Sequence, residues 1–405
     1  MKIIQIIFIL FLMCNSCNER NETSTGKDNT VTNEQSLIIM EQDYSTAIKL
    51  ASKVNKLLFI DFYTTWCAPC KQLNELVFQN DSIRQILGKD FVLLKYDAEN
   101  DTIFHLSKKH HVNSYPTAIV LNQNGYVVNR KYGFSGEDFQ SLSNSVIKFT
   151  NESTDLNKQN KYLKGYSNTI DETKYPKFYN DYVNRIIKKV QPSELGEFFS
   201  GKQSFLKEED FTPLFYFGRD APSHVGDIIL KDKQKYFNLY GEQDVEVLLY
   251  FMSSAKFNEA ITEDNQKKYD QAIEFTKKAL SQGWVDDMLT SFEIERLKTQ
   301  NNWDGVFKIY EERKNRDDIS EGEINHICWD VYKNCDDQQI IAKCIDWMKE
   351  LTNNNPEFSY LETYAFLLHK SGDKKLAKEV AEKALQIAKE QGKSITSLEK
   401  LLKEI

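Results

Sequence analysis

The sequence predicts an α/β domain over residues 37–150 followed by an all-α domain of stacked helices over residues 161–405. Three observations predict it. An apolar run from Leu57 to Tyr63, interrupted only by Asp61, leads through a short turn into a helical pattern that opens on Cys67. An apolar strand, Ala118–Leu121, is followed by Asn122-Gln123-Asn124-Gly125, a hairpin turn into Tyr126–Tyr132. Beyond Thr150 the strand signals stop, Gly and Pro become sparse, and the chain is rich in Lys, Glu, Asp, Tyr and Phe at helical spacing. A chain of 405 residues also exceeds one small α/β unit.

Residues 1–16 carry one basic residue, Lys2, and an apolar run from Ile3 to Met13 broken only by Gln5. A membrane span needs about 20 such residues, so the run is too short to cross and has the proportions of a signal peptide. It ends in Cys14-Asn15-Ser16-Cys17, which resembles a bacterial lipoprotein processing site. The resemblance implies lipidation at Cys17, which follows the small Ser16, rather than at Cys14 after the bulky Met13. Secretion with full release is the competing reading. Residues 17–36 are almost wholly polar and read as a flexible tether. A net charge of −8 gives no electrostatic case for nucleic acid, so any anchor is lipid.

The strand Leu57–Tyr63 delivers the chain to Trp66-Cys67-Ala68-Pro69-Cys70, and Cys67 through Phe78 reads as a helix with Leu73, Leu76 and Val77 on one face. Unpaired N–H groups at a helix start favour thiolate over thiol, and thiolate is the form that attacks disulfides. Cys67 is placed to attack, forming a mixed disulfide. Cys70, one turn inside, is placed to resolve it. Pro69 stiffens the first turn, where a helix tolerates the missing donor. Asp61 is a carboxylate in an apolar strand, so burial should raise its pKa and fit it to take the Cys70 proton. An Asp61 that points outward at a strand edge is the bland alternative.

These residues resemble the thioredoxin superfamily over about Leu37–Thr150: Asp61, Trp66, Cys67, Pro69 and Cys70 match that family's motif, including the spacing of the acid. The resemblance implies a central mixed sheet flanked by helices and a thiol–disulfide oxidoreductase activity. It identifies Tyr115-Pro116-Thr117 as the cis-proline loop, with Pro116 against the dithiol, Tyr115 offering its backbone to a substrate, and Trp66 on the substrate side. Ala68-Pro69 replaces the Gly-Pro of the general reductants, a change expected to tune the potential rather than the reaction. The family's lysine near the buried acid has Lys95 as a positional candidate. Zinc is not expected, because there is no second CxxC and His105, His110 and His111 read as lying on an exposed helix. No other metal or organic cofactor is implied.

Residues 151–160 are polar and aperiodic and read as a linker. In the helical half, clearest over 240–395, Lys268–Leu280, Asn302–Tyr310, Gln338–Leu351 and Leu361–Ala388 resemble tetratricopeptide repeats, with Ala272, Val306 and Ile340 at a 34-residue step. Ala365, Gly372, Ala377 and Ala384 fall at that family's small-residue positions, where paired helices approach closely. Cys328 and Cys344 are expected to face inward, with Cys335 in the turn between them. Buried thiols are one reading, and a single disulfide with one thiol left over is the other.

Together these readings give a membrane-tethered oxidoreductase, an exported lipoprotein facing the periplasm, that reduces or reshuffles disulfides of exported proteins. Its electrons come from an upstream dithiol donor, and the direction of flow stays open. The alternative is an adaptor lipoprotein whose helices bind partner proteins, with the redox domain secondary or sensory.

Overall fold

A computed structural model describes residues 36–405 except Ile170. The expected signal segment, Cys17 and nearly all of the tether lie outside the described residues. Five strands, β1 (Ile38–Glu41), β2 (Leu57–Tyr63), β3 (Phe91–Asp97), β4 (Thr117–Leu121) and β5 (Val127–Tyr132), form one mixed sheet in the order β1-β3-β2-β4-β5. β2 is central, parallel to β3 and antiparallel to β4. The hairpin turn is where the Asn-Gly signal placed it, and Gly125 takes the left-handed φ of +82° that the turn requires.

Around the sheet lie α1 (Tyr44–Lys53), α2 (Ala68–Leu73), α3 (Asp81–Leu87), α4 (Leu106–Lys109) and α5 (Phe139–Lys158). The helix expected to run to Phe78 does so, but its last stretch, Asn74–Phe78, is a wider π-helical turn. Successive residues of β2 point to opposite faces. Leu57 and Phe59 join a core with Leu73, Val77 and Phe149, whereas Leu58, Ile60 and Phe62 join a second core on the other face. Asp61 shares the face of Phe59 and so points toward α2.

The linker expected at residues 151–160 is instead the end of α5, which continues to Lys158. Its polar residues do not prevent a helix because several serve it locally. The Ser153 and Thr154 hydroxyls donate to the carbonyls of Phe149 and Thr150, while Leu156 packs on the core. The chain then folds back on the sheet, where the Leu163 N–H donates to the Val127 carbonyl at 2.8 Å and extends the β5 edge.

The rest is helical: α6 (Lys177–Val183), α7 (Pro192–Phe199), α8 (Glu208–Tyr216), α9 (His224–Lys231) and α10 (Lys233–Tyr240) are short. Longer helices follow as α11 (Glu242–Thr262), α12 (Gln266–Ala279), α13 (Gln282–Thr299), α14 (Trp303–Asn315), α15 (Glu321–Asn334), α16 (Gln338–Asn354), α17 (Phe358–Ser371), α18 (Lys374–Glu390) and α19 (Thr396–Glu404). α11 packs on α12, α13 on α14, α15 on α16 and α17 on α18. Ala272, Val306, Ile340 and Ala377 are buried, one in each second helix of a pair. Gly372 does not serve close packing. It ends α17 in the left-handed conformation, with open space where a Cβ would stand. Cys328, Cys335 and Cys344 are all buried free thiols, Cys335 included despite its place at the end of α15. Among the described residues no helix is long and apolar enough to cross a membrane.

The two halves share a core. One buried cluster runs from Leu58 and Ile60 on the sheet through Tyr166, Tyr179 and Phe211 to Leu248 and Met288.

Candidate active site

Cys67 is the N-cap of α2, and its Sγ accepts the Cys70 N–H at 3.2 Å. That bond places the sulfur at the start of the helix, where the free amides and the dipole stabilise negative charge. Cys67 and Cys70 are joined in a disulfide, with Cα atoms 5.3 Å apart. Cys67 was expected at an exposed end, yet in this oxidised form the two residues are only 3% and 4% exposed. The neighbours Thr65, Trp66, Ala68 and Pro69 make the rim instead. An incoming disulfide therefore meets the rim before it meets sulfur.

Asp61 is 1% exposed, and its Oδ1 has no hydrogen-bond partner. A lone carboxylate so placed is costly in its charged form, and burial pushes the Asp61 pKa up to about 7, against a downward pull from Lys95. Lys95 is opposite Asp61 in the β2–β3 register. Its ammonium donates to Asn74 Oδ1 at 2.7 Å and lies 5.1 Å from the centre of the Tyr63 ring. A small cavity of about 110 Å³ is lined by Asp61, Lys95, Asn74 and Cys70, but not by Cys67. The carboxyl thus opens toward the inner cysteine. The positional reading of Lys95 and the inward reading of Asp61 both correspond to this geometry.

Tyr115–Pro116 is a cis peptide bond. Thr117 pairs with Phe62 across the β2–β4 ladder, so the proline loop stands beside the end of β2 from which the dithiol loop departs. The Trp66 ring, 65% exposed, meets the Tyr115 ring edge to face at 6.0 Å. Trp66, Cys67, Cys70, Asp61, Tyr115 and Pro116 therefore gather at one end of the sheet. Cys17 lies outside the described residues.

The histidines are where sequence reading went astray. His110 and His111 are buried, at 2% and 0% exposure, and His105 is half-buried with its Nε2 2.7 Å from Glu172. They face the seam between the halves rather than solvent. There Arg130 of β5 reaches Asp244 of α11 with Nε 3.2 Å from Oδ2, and donates to His111 Nε2 at 2.9 Å. Tyr166 Oη stands 2.6 Å from the same imidazole nitrogen. Burial and the Arg130 charge hold His111 well below its ordinary pKa, so it is neutral and can accept from the guanidinium. Around this cluster Lys108 pairs with Glu172 and Lys109 with Glu208, each at 2.7 Å. No local signal marked Arg130 or Asp244. One sits in a polar edge strand and the other in an acidic first helical turn.

Residues 39–122 match a family model described as Thioredoxin-like. Thioredoxin-1 of Drosophila melanogaster is 35% identical over 106 residues, which cover 26% of this chain and 89% of the fly protein. Thioredoxin-1 of Saccharomyces cerevisiae is 31% identical over 96 residues, 23% of this chain and 86% of the yeast protein. Among solved structures, a protein described as a disulphide-isomerase from Bacteroides thetaiotaomicron is 36% identical, covering 29% of this chain and 94% of that one, with a TM-score of 0.25.

Proposed function

The chain belongs to the thioredoxin family through its N-terminal domain, a thiol–disulfide oxidoreductase domain, and we propose that the whole protein is a membrane-tethered enzyme that reduces or reshuffles disulfides of exported proteins. The Cys67 thiolate attacks a substrate disulfide, forming a mixed disulfide and releasing one substrate thiolate. Asp61 takes the proton from Cys70, whose sulfur then attacks Cys67. The second substrate thiolate leaves, the substrate gains two electrons, and Cys67–Cys70 is oxidised. A partner dithiol restores the pair by the reverse exchange. Tyr115 and Pro116 shape the substrate groove, Trp66 borders it, and a lipid on Cys17 tethers the domain on the periplasmic side.

The observation that carries this reading is the buried, unpartnered Asp61 carboxyl opening onto Cys70 rather than Cys67. It supports division of labour between the two thiols, with proton removal reserved for the resolving step. The test is trapping. Cys70→Ser in a bacterial host that exports the protein should accumulate mixed disulfides at Cys67 with discrete exported proteins, recovered with the membrane fraction and identified by mass spectrometry. A folded variant with reactive Cys67 and no trapped partner would contradict the reading. In the competing adaptor account, deletion of residues 151–405 should abolish function. The shared core makes that deletion uninformative, since it strips one face of the sheet, so Cys67→Ser discriminates better.

A further inference from the structure

We propose that the helical domain builds a second wall of the substrate groove, and that this wall recognises an acidic, extended segment beside the disulfide of a protein substrate. The inference rests on the dithiol-exchange reading above and names its substrate class.

Tyr115 stands between two elements. On one side is Trp66 of the dithiol loop. On the other is the turn after α6, whose Arg185 lies 3.8 Å from Glu99, the charge that acts most on the Tyr115 hydroxyl, followed by Arg185 itself. Tyr216 of α8 lies near Tyr182, Tyr115 and Arg185. Its ring packs on Tyr182 at 5.8 Å and Phe217 at 5.4 Å. Those three aromatic residues line an open cleft of about 530 Å³ together with Leu195 and Phe199. Tyr115 and Tyr216 both pack against the shared core, and beyond Tyr216 the aromatic cleft is made entirely by the helical domain.

The rim of that cleft is basic. Lys188, Lys189 and Arg219 border the cleft, and Arg185 lies just before them in the chain, beside Glu99 of the N-terminal domain. Lys188 and Lys189 are exposed and have no ion-pair partner among the described residues. Arg185 is only 3.8 Å from Glu99, a separation beyond hydrogen-bond range, and its side chain is 69% exposed. The acidic groups nearby are Glu99, Asp97 and Asp101 on the Tyr115 side and, in the cleft lining, Asp220. Arg185 takes a left-handed φ of +59°, and the next residue, Ile186, is 69% exposed. On a chain of net charge −8, exposed cations, of which Lys188 and Lys189 have no ion-pair partner among the described residues, beside an exposed isoleucine and an aromatic cleft are a local departure. An extended segment that alternates apolar and acidic side chains complements both features, apolar groups into the cleft and carboxylates toward the rim.

The experiment compares wild type with the triple variant Arg185→Glu, Lys188→Glu, Lys189→Glu, whose changes are all on exposed side chains. Pre-reduced full-length protein is mixed with two synthetic disulfide peptides, one flanked by glutamates and one by lysines, and with a small aromatic disulfide. Wild type should reduce the acidic peptide about tenfold faster than the basic one at low salt, with the gap closing as salt rises. The variant should lose or invert that preference while reducing the small disulfide at the wild-type rate. Equal rates of wild type on both peptides, or a preference that survives in the variant, would overturn the proposal. Binding of wild type but not the variant to phosphatidylserine vesicles, with equal peptide rates, would also overturn it by assigning the strip to a lipid surface. Failure of wild type to reduce even the small disulfide would overturn the oxidoreductase reading itself, and this inference with it.

Discussion

Asp61 and Asp244 are both about 1% exposed, yet they stand in opposite situations. Neither carboxyl has a hydrogen-bond partner on Oδ1, but the cation acting on Asp61, Lys95, is engaged with Asn74. Asp244 has the Arg130 guanidinium 3.2 Å away, with Tyr166 and Tyr132 hydroxyls beside it. Burial raises both carboxyls, but at Asp244 Arg130 opposes the rise at contact distance and is itself held charged by Asp244. The first carboxyl is left free to gain and lose a proton; the second is fixed as half of an ion pair that closes the seam between the domains. Burial alone therefore does not identify a working acid. The absence of an ion pair, together with a cavity shared with Cys70, is what supports the proposal that Asp61 is one.

The comparison can be broken at several points. Cys67→Ser should reduce disulfide turnover to background while leaving the seam and the fold intact, as read by peptide reduction alongside thermal melting. Asp244→Ala should do the reverse. It strands the Arg130 charge in the interior at a cost of about 3–5 kcal/mol, seen as a lower denaturant midpoint. Joint replacement by Arg130→Met and Asp244→Leu should recover most of that loss, because an apolar pair needs no compensation. If Asp244→Ala instead spares stability and removes activity, the roles given to the two carboxyls are wrong.

Asp61→Asn should slow resolution of the mixed disulfide by roughly 10²-fold, the scale of one general base, without preventing the first attack. It should also change stability with a definite sign. The unfolded carboxyl ionises near 3.8 and the folded one near 7, so between those values the folded state holds the extra proton. Wild-type stability therefore falls as pH rises through that window, by up to about 4 kcal/mol. The asparagine variant should gain on wild type above pH 7 and show no such gain at pH 4, in melts of the oxidised protein. The smallest effect belongs to Lys95→Met. Removing the positive charge that pulls Asp61 down should move the pH profile of resolution to higher pH, with little change in its plateau.

The same contrast explains what was legible in the sequence. Asp61, Cys67 and Cys70 lie within ten residues, and their meaning is carried by spacing along one strand and one helix start. Pro116 was legible because Tyr115-Pro116-Thr117 precedes an apolar strand. The seam was not, because it pairs Arg130 with Asp244 and His111 with Tyr166, contacts between segments far apart in the chain. His110 and His111 follow Lys108 and Lys109, and four polar residues in a row read as a solvated face. In the fold they are covered by Tyr166, Tyr179 and Phe211. Polarity misled again at 151–160, where hydroxyls that bond their own helix looked like a linker. Ala272, Val306 and Ile340, spaced 34 residues apart, and Ala377, 37 residues further on, are all core in the second helices of their pairs, whereas Gly372 answers to backbone conformation.

The most direct test is the pH dependence of a single resolution event. A mixed disulfide between Cys67 and a defined peptide thiol is formed in wild type, Asp61→Asn and the Arg130→Met, Asp244→Leu pair, and peptide release is followed from pH 5 to 9. Wild type and the seam variant should share a rise with a midpoint near 7, the value to which burial pushes Asp61, and Asp61→Asn should lose that rise. The same midpoint in Asp61→Asn as in wild type would contradict the assignment of Asp61 as the base for Cys70.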